Sequence, residues 1–276
     1  MSILAFDVEL DRLVPPYDGS VSWELPNKPK VTCAATCEFD TGRTKTYFTP
    51  SSDGKRLANH RLSQAAVSEL IDDLYSHVCR GGLVVSWGGT AVDFRALHAS
   101  CSDPARQQVC LYLARTQIDI PFASSSDLGC MFSLNSAAKA MGLAGKDASI
   151  SSHAPQLWEN GSELEVLGHV LGDAVLTATV YARAMDSRNS SPSMSWITQR
   201  GKVKTWKPTV VPMRIPVYNQ NSTYAVGEDF VLQPRMQTVE ECMSRPKPSV
   251  PFVTPHGLDR DYAVKWIETV TPKYQH

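Results

Sequence analysis

The stretch ILAFDVE, residues Ile3–Glu9, is an apolar run that ends in two acids. An apolar run of this length predicts a buried β-strand that presents side chains at its end. Residues two apart on a strand point to the same face, so the carboxylates of Asp7 and Glu9 are expected to project together. Two such carboxylates repel each other unless a cation lies between them, and Mg²⁺ or Mn²⁺ prefers oxygen ligands. Alone, the pattern is more often an exposed acidic strand end.

After this first strand, the sequence up to residue 186 predicts two more strands and then alternating helices and strands. Two strands, Val31–Phe39 and Arg43–Thr49, flank a turn at residues 40–42, and a short apolar strand follows at Leu83–Trp87. The spacing of apolar residues predicts helices at Ser63–Cys79, Val92–Ser100, Pro104–Ala114, Leu134–Met141 and Ser162–Met185. This order indicates an α/β body with a mixed sheet.

The amino-acid composition changes after Met185, where Pro, Ser and Asn become common. We therefore predict a body over residues 1–186 and a small appendage over residues 187–276 that packs on the body. The appendage is predicted to contain a hairpin turning at residues 200–201, and two short helices, Thr238–Ser244 and Asp259–Thr269.

Two further stretches place acids where a site is often built. In residues 84–97 a buried strand leads into Gly88-Gly89, whose lack of side chains allows close backbone approach, and then into a helix whose first turn holds Asp93. In the late helix, His169 and Asp173 lie four residues apart and share one face. Each feature also has an ordinary explanation, because helix dipoles favour acids in the first turn and His–Asp pairs occur on helix surfaces.

Taken in order, these features resemble the DEDD family of 3′–5′ exonucleases over residues 1–186. The shared pattern is D-x-E on the first strand, an acid after a glycine turn, and a base and an acid on a late helix: Asp7, Glu9, Asp93, His169 and Asp173. The stretch APQLWENGSELEVLGHVLGDAVLTATVY, residues 154–181, also resembles the final motif of bacterial and viral members, in which Pro-x-Leu-Trp precedes the helix bearing the last acid. The resemblance implies a ribonuclease H-like α/β fold, a mixed sheet flanked by helices.

The same resemblance implies a chemistry for these residues. Asp7, Glu9, Asp93 and Asp173 would bind two Mg²⁺ or Mn²⁺ ions, and His169 would be the general base in hydrolysis of single-stranded DNA or RNA. The sequence departs from the family pattern in two places. Gly88 stands where relatives often have Asn, and His169 has the three-residue gap that the family usually combines with Tyr, whereas its histidine members have four.

Charge is distributed unevenly along a chain whose net charge is −1. The basic arm, residues 187–227, contains six Lys or Arg and no Asp or Glu, which leaves the remainder of the chain with a net charge of −7. Basic groups track phosphates and aromatic rings stack on bases, so the candidate nucleic-acid-binding residues are Arg200, Lys202, Lys204, Trp206 and Lys207. A solvated hairpin with Trp206 packed on the body explains the same residues equally well.

Two other function classes stay open beside an exonuclease: a catalytically idle domain of the same fold that binds nucleic acid or a protein, and an enzyme acting on small nucleotides. The complete acid set disfavours the first, and the basic arm disfavours the second. The seven scattered cysteines predict reduced thiols. With no signal-peptide pattern and no apolar stretch of ~20 residues, we expect an intracellular, cytoplasmic protein that does not span a membrane.

Overall fold

The computed structural model describes residues 2–13, 28–52, 56–123, 133–146, 148–185, 194–197, 203–206, 238–244 and 266–268. Its main strands are β1 Ile3–Leu10, β2 Val31–Glu38, β3 Arg43–Tyr47, β4 Leu83–Ser86 and β5 Ile118–Asp119. They form one five-stranded sheet in the order β3-β2-β1-β4-β5. Strand β1 pairs antiparallel with β2 and parallel with β4, while β3 extends the antiparallel side and β5 the parallel side. The predicted mixed sheet of an α/β fold is confirmed.

Helices cover both faces of this sheet. They are α1 Gln64–Cys79, α2 Asp93–Ser100, α3 Pro104–Thr116, α4 Leu134–Ala140, α5 Ala148–Glu159, α6 Glu163–Met185 and, near the end of the chain, α7 Val239–Met243. Helix α1 begins after Ser63, whose side chain accepts a hydrogen bond from the backbone N–H of Ala66, as expected for an N-cap. Helices α1, α2 and α3 contribute to one core cluster, whereas α5 and α6 contribute to a second.

Strand β1 lies at the centre of the sheet and serves both cores. Leu4, Phe6 and Val8 are buried in the cluster with α1 to α3. Ala5 is buried in the opposite cluster, beneath α6. Because side chains alternate along a strand, Asp7 and Glu9 continue the Ala5 face, which changes from apolar to acidic towards the end of β1. The sheet therefore presents its acids to α6.

Two elements of the body were not predicted. Strand β5 has only two residues and leaves no periodic pattern. Helix α5 contains Pro155 in its interior and begins with a serine-rich turn, both of which are typical of loops. The segment was predicted only as the Pro-x-Leu-Trp stretch that precedes α6. Trp158 of that stretch is buried, and its indole N–H donates to the carbonyl of Asn59 at 3.1 Å.

Short pieces of the C-terminal segment lie within the described residues. Strands β6 Met194–Ile197 and β7 Val203–Trp206 pair antiparallel, with Ile197 opposite Val203, so the predicted hairpin is present. Its predicted turn lies outside the described residues. Helix α7 contacts the body: the N–H of Val239 donates to the carbonyl of Gln117 at 3.1 Å, and Glu240 pairs with Arg115 at 2.6 Å.

One helix in the described part of the chain, α6, is long and apolar enough to cross a bilayer by length and composition. More than half of its apolar window, 56%, is buried inside the protein, and its buried residues include Glu163, His169 and Asp173. Its apolar residues pack on β1 and β2 in the second core cluster. This is the behaviour of a core helix, which passes the same test.

Candidate active site

The carboxyl ends of the parallel strands β1, β4 and β5 meet at one edge of the sheet, where the predicted acids lie. Strand β1 brings Asp7 and Glu9 to the face covered by α6. The ladder between β1 and β2 shifts register beside Glu9, and there the Thr32 hydroxyl donates to the carbonyl of Glu9 at 2.9 Å. That bond fixes the backbone that carries the second acid.

Two glycines lead from β4 to the third acid, Asp93, and each is required for a different reason. Gly88 has φ +86°, a conformation that side chains rarely tolerate. Gly89 lies so close to Ser86 that a Cβ would stand 2.3 Å from its Oγ. Its N–H donates to that oxygen at 3.1 Å, and its carbonyl accepts from Phe94 at 2.8 Å. The turn thus delivers Asp93 as the first residue of α2, where it is 5% exposed.

Asp119, a buried acid outside the predicted set, fixes this turn. It was not predicted from the sequence. Its carboxylate accepts the backbone N–H of Gly88 at 3.0 Å, of Thr90 at 2.8 Å and of Phe122 at 3.3 Å. The amide of Gln117 donates to the Thr90 hydroxyl at 3.1 Å. We call Asp119 and Gln117, with the backbone of residues 88–90, the loop clasp. Burial raises the pKa of Asp119, and the hydrogen bonds from the turn oppose that rise.

Helix α6 presents His169, Asp173 and Thr177 as buried residues at intervals of four. The His169 ring points Nε2 at the acids: it lies 3.7 Å from Glu9 Oε1 and 3.7 Å from Asp173 Oδ2. The same nitrogen is hydrogen-bonded to the Ser151 hydroxyl of α5 at 3.0 Å. Ser151 is a further site residue that the sequence did not reveal, because it belongs to the helix that was not predicted.

A lysine enters the same site from the segment between α4 and α5. The Lys146 ammonium forms an ion pair and a hydrogen bond with Asp173 Oδ2. Its side chain is 23% exposed and that of Asp173 is 8% exposed. Lys146 was not predicted, since a lone lysine in a Gly-rich segment carries no local pattern.

The carboxylates of Asp7, Glu9, Asp93 and Asp173, here called the acid cluster, interact electrostatically. Burial raises the pKa of Asp7 to about 8, Asp173 adds to the rise, and the Lys146 charge opposes it. Burial raises the pKa of Glu9 and of Asp93 well above the ordinary range, and the other acids of the cluster raise both further. The cluster therefore cannot hold all its negative charges near neutral pH without more positive charge nearby.

Two observations fit this donor set to a divalent cation. Asp93 Oδ2 and Asp173 Oδ1 are buried and lack a hydrogen-bond partner among the described residues, although buried polar atoms normally have one. The Lys146 ammonium already occupies the neighbouring oxygen of Asp173, as a cation would. As the side chains stand, no three His, Cys, Asp or Glu groups of the described chain converge closely enough to hold an ion. The oxygens and charge suit Mg²⁺ or Mn²⁺, but ligation requires Lys146 and the acids to rearrange.

A cavity of about 520 Å³ opens beside the end of β1, two residues beyond Glu9. Asp11, just after β1, lines the cavity with Arg12, Thr32, His60, Arg61, Trp158 and Glu159. Helix α5 connects the two places, because Ser151 bonds His169 at one end and Trp158 borders the cavity near the other. The cavity is therefore a separate space that α5 links to the acid cluster, and Arg12, Arg61, Asp11 and Glu159 all line it.

The structure brings together all five predicted catalytic residues, Asp7, Glu9, Asp93, His169 and Asp173. The predicted nucleic-acid-binding residues of the basic arm are described only in part. Lys204 and Trp206 lie on β7, while Arg200, Lys202 and Lys207 lie outside the described residues. Their role stays a prediction.

No family model matches the chain, and no curated protein matches it in sequence. Solved structures of exonuclease I are weakly similar in fold. A product-bound exonuclease I is 10% identical, with a TM-score of 0.32 over 61% of this chain and 45% of that chain. An ExoI/SSB-Ct complex is 10% identical, with a TM-score of 0.32 over 74% and 51%. E. coli exonuclease I with a dT13 oligonucleotide is 10% identical, with a TM-score of 0.31 over 99% and 72%.

The chain thus spans about half the length of the first two of these structures. Likeness at this level does not bear on activity, which has to be inferred from the site itself.

Proposed function

We propose that this chain is a metal-dependent nuclease that hydrolyses phosphodiester bonds of single-stranded nucleic acid, acting as a 3′–5′ exonuclease. The observation that supports this function best is the acid cluster itself. Carboxylates from β1, α2 and α6 share one buried site, and two of their oxygens lack partners among the described residues. Such an arrangement costs stability unless cations neutralise it, so it is typical of a functional site.

The acid cluster would hold the ions through Asp7, Glu9, Asp93 and Asp173. Divalent ions held there supply Lewis-acid activation of a water molecule and stabilise negative charge on the departing oxygen.

His169 would accept the proton of the attacking water at Nε2. The ring is buried, and Nε2 faces Glu9 and Asp173 at 3.7 Å. An imidazole titrates near neutral pH and is suited to this role. The Ser151 hydroxyl, 3.0 Å from Nε2, orients the ring, and it has to release Nε2 before that nitrogen can accept the proton of the water. His169 would thus act as the base despite the three-residue gap before Asp173, because Ser151 of α5 holds its ring.

The basic arm suits a polyanionic strand, because it adds six positive charges in sequence. The arm would offset the repulsion between a phosphate chain and the remainder of the protein, which has a net charge of −7. The cavity at the end of β1 also contains Arg12 and Arg61, and both of them pair with Asp11.

The direct test is hydrolysis of end-labelled single-stranded DNA and RNA with Mg²⁺ or Mn²⁺, with and without chelator. We expect cleavage that requires the ion, and successive release of mononucleotides from the 3′ end. Glu69→Gln is a control for substitutions in the acid cluster. Glu69 is also an acid, but it is exposed to solvent and is not part of the cluster. This variant should cleave like the wild type. Ion-independent cleavage, or strand binding without any cleavage, would contradict the proposal, and the second result would indicate an idle binding domain.

A further inference from the structure

Lys146 is a positive charge inside the acid cluster. Its ammonium is bound to Asp173 Oδ2, while the other oxygen of that carboxylate, Oδ1, is buried and unpartnered among the described residues. The pair is largely removed from solvent, with side-chain exposures of 23% and 8%. Surface ion pairs contribute little, but a pair in a buried acid site interacts through a lower dielectric and is screened less.

The Lys146 charge acts beyond its own partner. It opposes the rise that burial and neighbouring acids impose on the pKa of Asp7 and of Glu9. Its direct ion pair is with Asp173, the acid on α6 whose Oδ2 also lies 3.7 Å from His169 Nε2.

The lysine is held near the site by a segment fixed at one end. The Arg183 guanidinium of α6 donates to the carbonyl of Met141 at 2.8 Å, at the end of α4. The N–H of Leu143 donates to the carbonyl of Ala138 at 2.9 Å. Lys146 follows three residues later and reaches Asp173 with a flexible four-carbon side chain, whose ammonium can change position without moving the backbone.

We infer that Lys146 is a tethered counter-ion that occupies the acid cluster in the metal-free protein and must leave Asp173 when a divalent cation binds there. The inference rests on the metal site of the proposed function. An ammonium and a divalent cation bound to one carboxylate repel each other, so binding of the ion favours departure of the ammonium. Lys146 therefore stabilises the empty cluster and weakens its affinity for metal at the same time.

The test is Mn²⁺ binding measured by isothermal titration calorimetry, with no substrate and no activity readout. We expect Lys146→Met to bind Mn²⁺ about tenfold more tightly than the wild type, because binding no longer displaces a resident cation. Lys139→Met is the matched control: it removes the same charge from an exposed position on α4. That variant should bind Mn²⁺ like the wild type. Equal or weaker affinity of Lys146→Met overturns the inference.

Thermal unfolding supplies a second readout. In chelator, Lys146→Met should unfold at a lower temperature than the wild type, because the remaining acids repel each other without their counter-ion. At saturating Mn²⁺ the deficit should disappear, whereas a deficit that persists overturns the inference by showing that Lys146 is simply structural. Should Lys146→Met not fold, Lys146→Gln is measured in its place with the same expectations.

Failure of the inference is distinguishable from failure of the proposed function. If Mn²⁺ binds to the wild type and Lys146→Met with the same affinity, only the role of Lys146 is wrong. If neither protein binds Mn²⁺, the proposed metal site is wrong and the inference falls with it.

Discussion

The acid cluster and the loop clasp both bury carboxylates at the same edge of the sheet, but they satisfy them differently. Asp119 of the clasp is 1% exposed and accepts three backbone N–H groups. Asp93 of the cluster is 5% exposed, and its Oδ2 has no partner among the described residues. Burial raises the pKa of both, yet hydrogen bonds oppose the rise at Asp119 and other acids reinforce it at Asp93. Burial alone thus does not identify a functional acid. A buried carboxylate oxygen that lacks a hydrogen-bond donor and lies among other acids is the better indication.

The largest expected difference between the two regions is in activity. Asp7→Asn should reduce hydrolysis by roughly 10⁴-fold or more, since several kcal/mol of transition-state stabilisation depend on the ions that it would hold. Without metal the folded state should be kept, and above about pH 8 it should be stabilised, because the neutral amide then replaces a carboxylate charge. Rates under single turnover and denaturant unfolding measure the two effects.

Asp119→Asn is the matched change in the loop clasp. It should lose about 1–3 kcal/mol of unfolding free energy, because an amide cannot accept all three N–H groups. Its rate loss should be far smaller than that of Asp7→Asn. The comparison fails if Asp7→Asn unfolds the protein, or if Asp119→Asn is the more damaging change to catalysis.

His169 lies beside the acid cluster and would act as a base, not as a metal ligand. Its substitution therefore tests proton transfer separately from metal binding. His169→Ala should slow hydrolysis by roughly 10²–10⁴-fold, the usual contribution of a general base. Ser151→Ala should cost less, since it removes only the hydrogen bond that orients the ring. Single-turnover rates of the two variants measure both effects. An unchanged rate in His169→Ala would assign the proton to another acceptor.

The basic arm is expected to affect strand binding, whereas the acid cluster is expected to affect the rate of hydrolysis. Neutralising Lys202, Lys204 and Lys207 together should weaken strand binding and flatten its salt dependence, reducing the slope of log K against log salt by about 2 if all three meet phosphates. The single-turnover rate at saturating substrate should change much less, because the chemistry belongs to the acid cluster. Fluorescence anisotropy across a salt series is the measurement. Unaltered binding would show that Lys or Arg elsewhere holds the strand.

The smallest expected effect is a pH dependence of stability without metal. Asp7 binds its proton more tightly in the folded state, with a pKa of about 8, than in the unfolded chain, at 3.8. Its contribution to stability is therefore fully present below pH 3.8 and is lost as the pH rises through about 8. Thermal unfolding in chelator should show this decline, and Asp7→Asn should flatten it. Parallel curves for the two proteins would show that Asp7 does not titrate in this way.

Local patterns predicted those parts of the molecule that depend on nearest neighbours along the chain. The apolar run of β1 and the spacing of α6 placed Asp7 with Glu9, and His169 with Asp173, on shared faces, and the resemblance to the DEDD family joined the two pairs into one predicted site. The two glycines before Asp93 indicated a tight turn, and their φ and packing explain why glycine stands there.

The rest of the site depends on contacts between distant segments, which leave no local pattern. Lys146 reaches Asp173 across 27 positions, and Asp119 reaches Gly88 across 31. Ser151 lies on α5, where Pro155 and a serine-rich start conceal the helix. Such residues become visible only when the sheet and helices are assembled around them.

The loop clasp has a consequence for dynamics. Amide hydrogens of turns usually exchange quickly with solvent, because turns open locally at little cost in free energy. Here the amides of Gly88 and Thr90 are bound to a carboxylate that is 1% exposed. We expect these two amides to exchange as slowly as those of the core strands, and faster exchange in Asp119→Asn. The backbone before Asp93 is then ordered when the protein folds, so no entropy is lost in ordering it when ion or strand arrives.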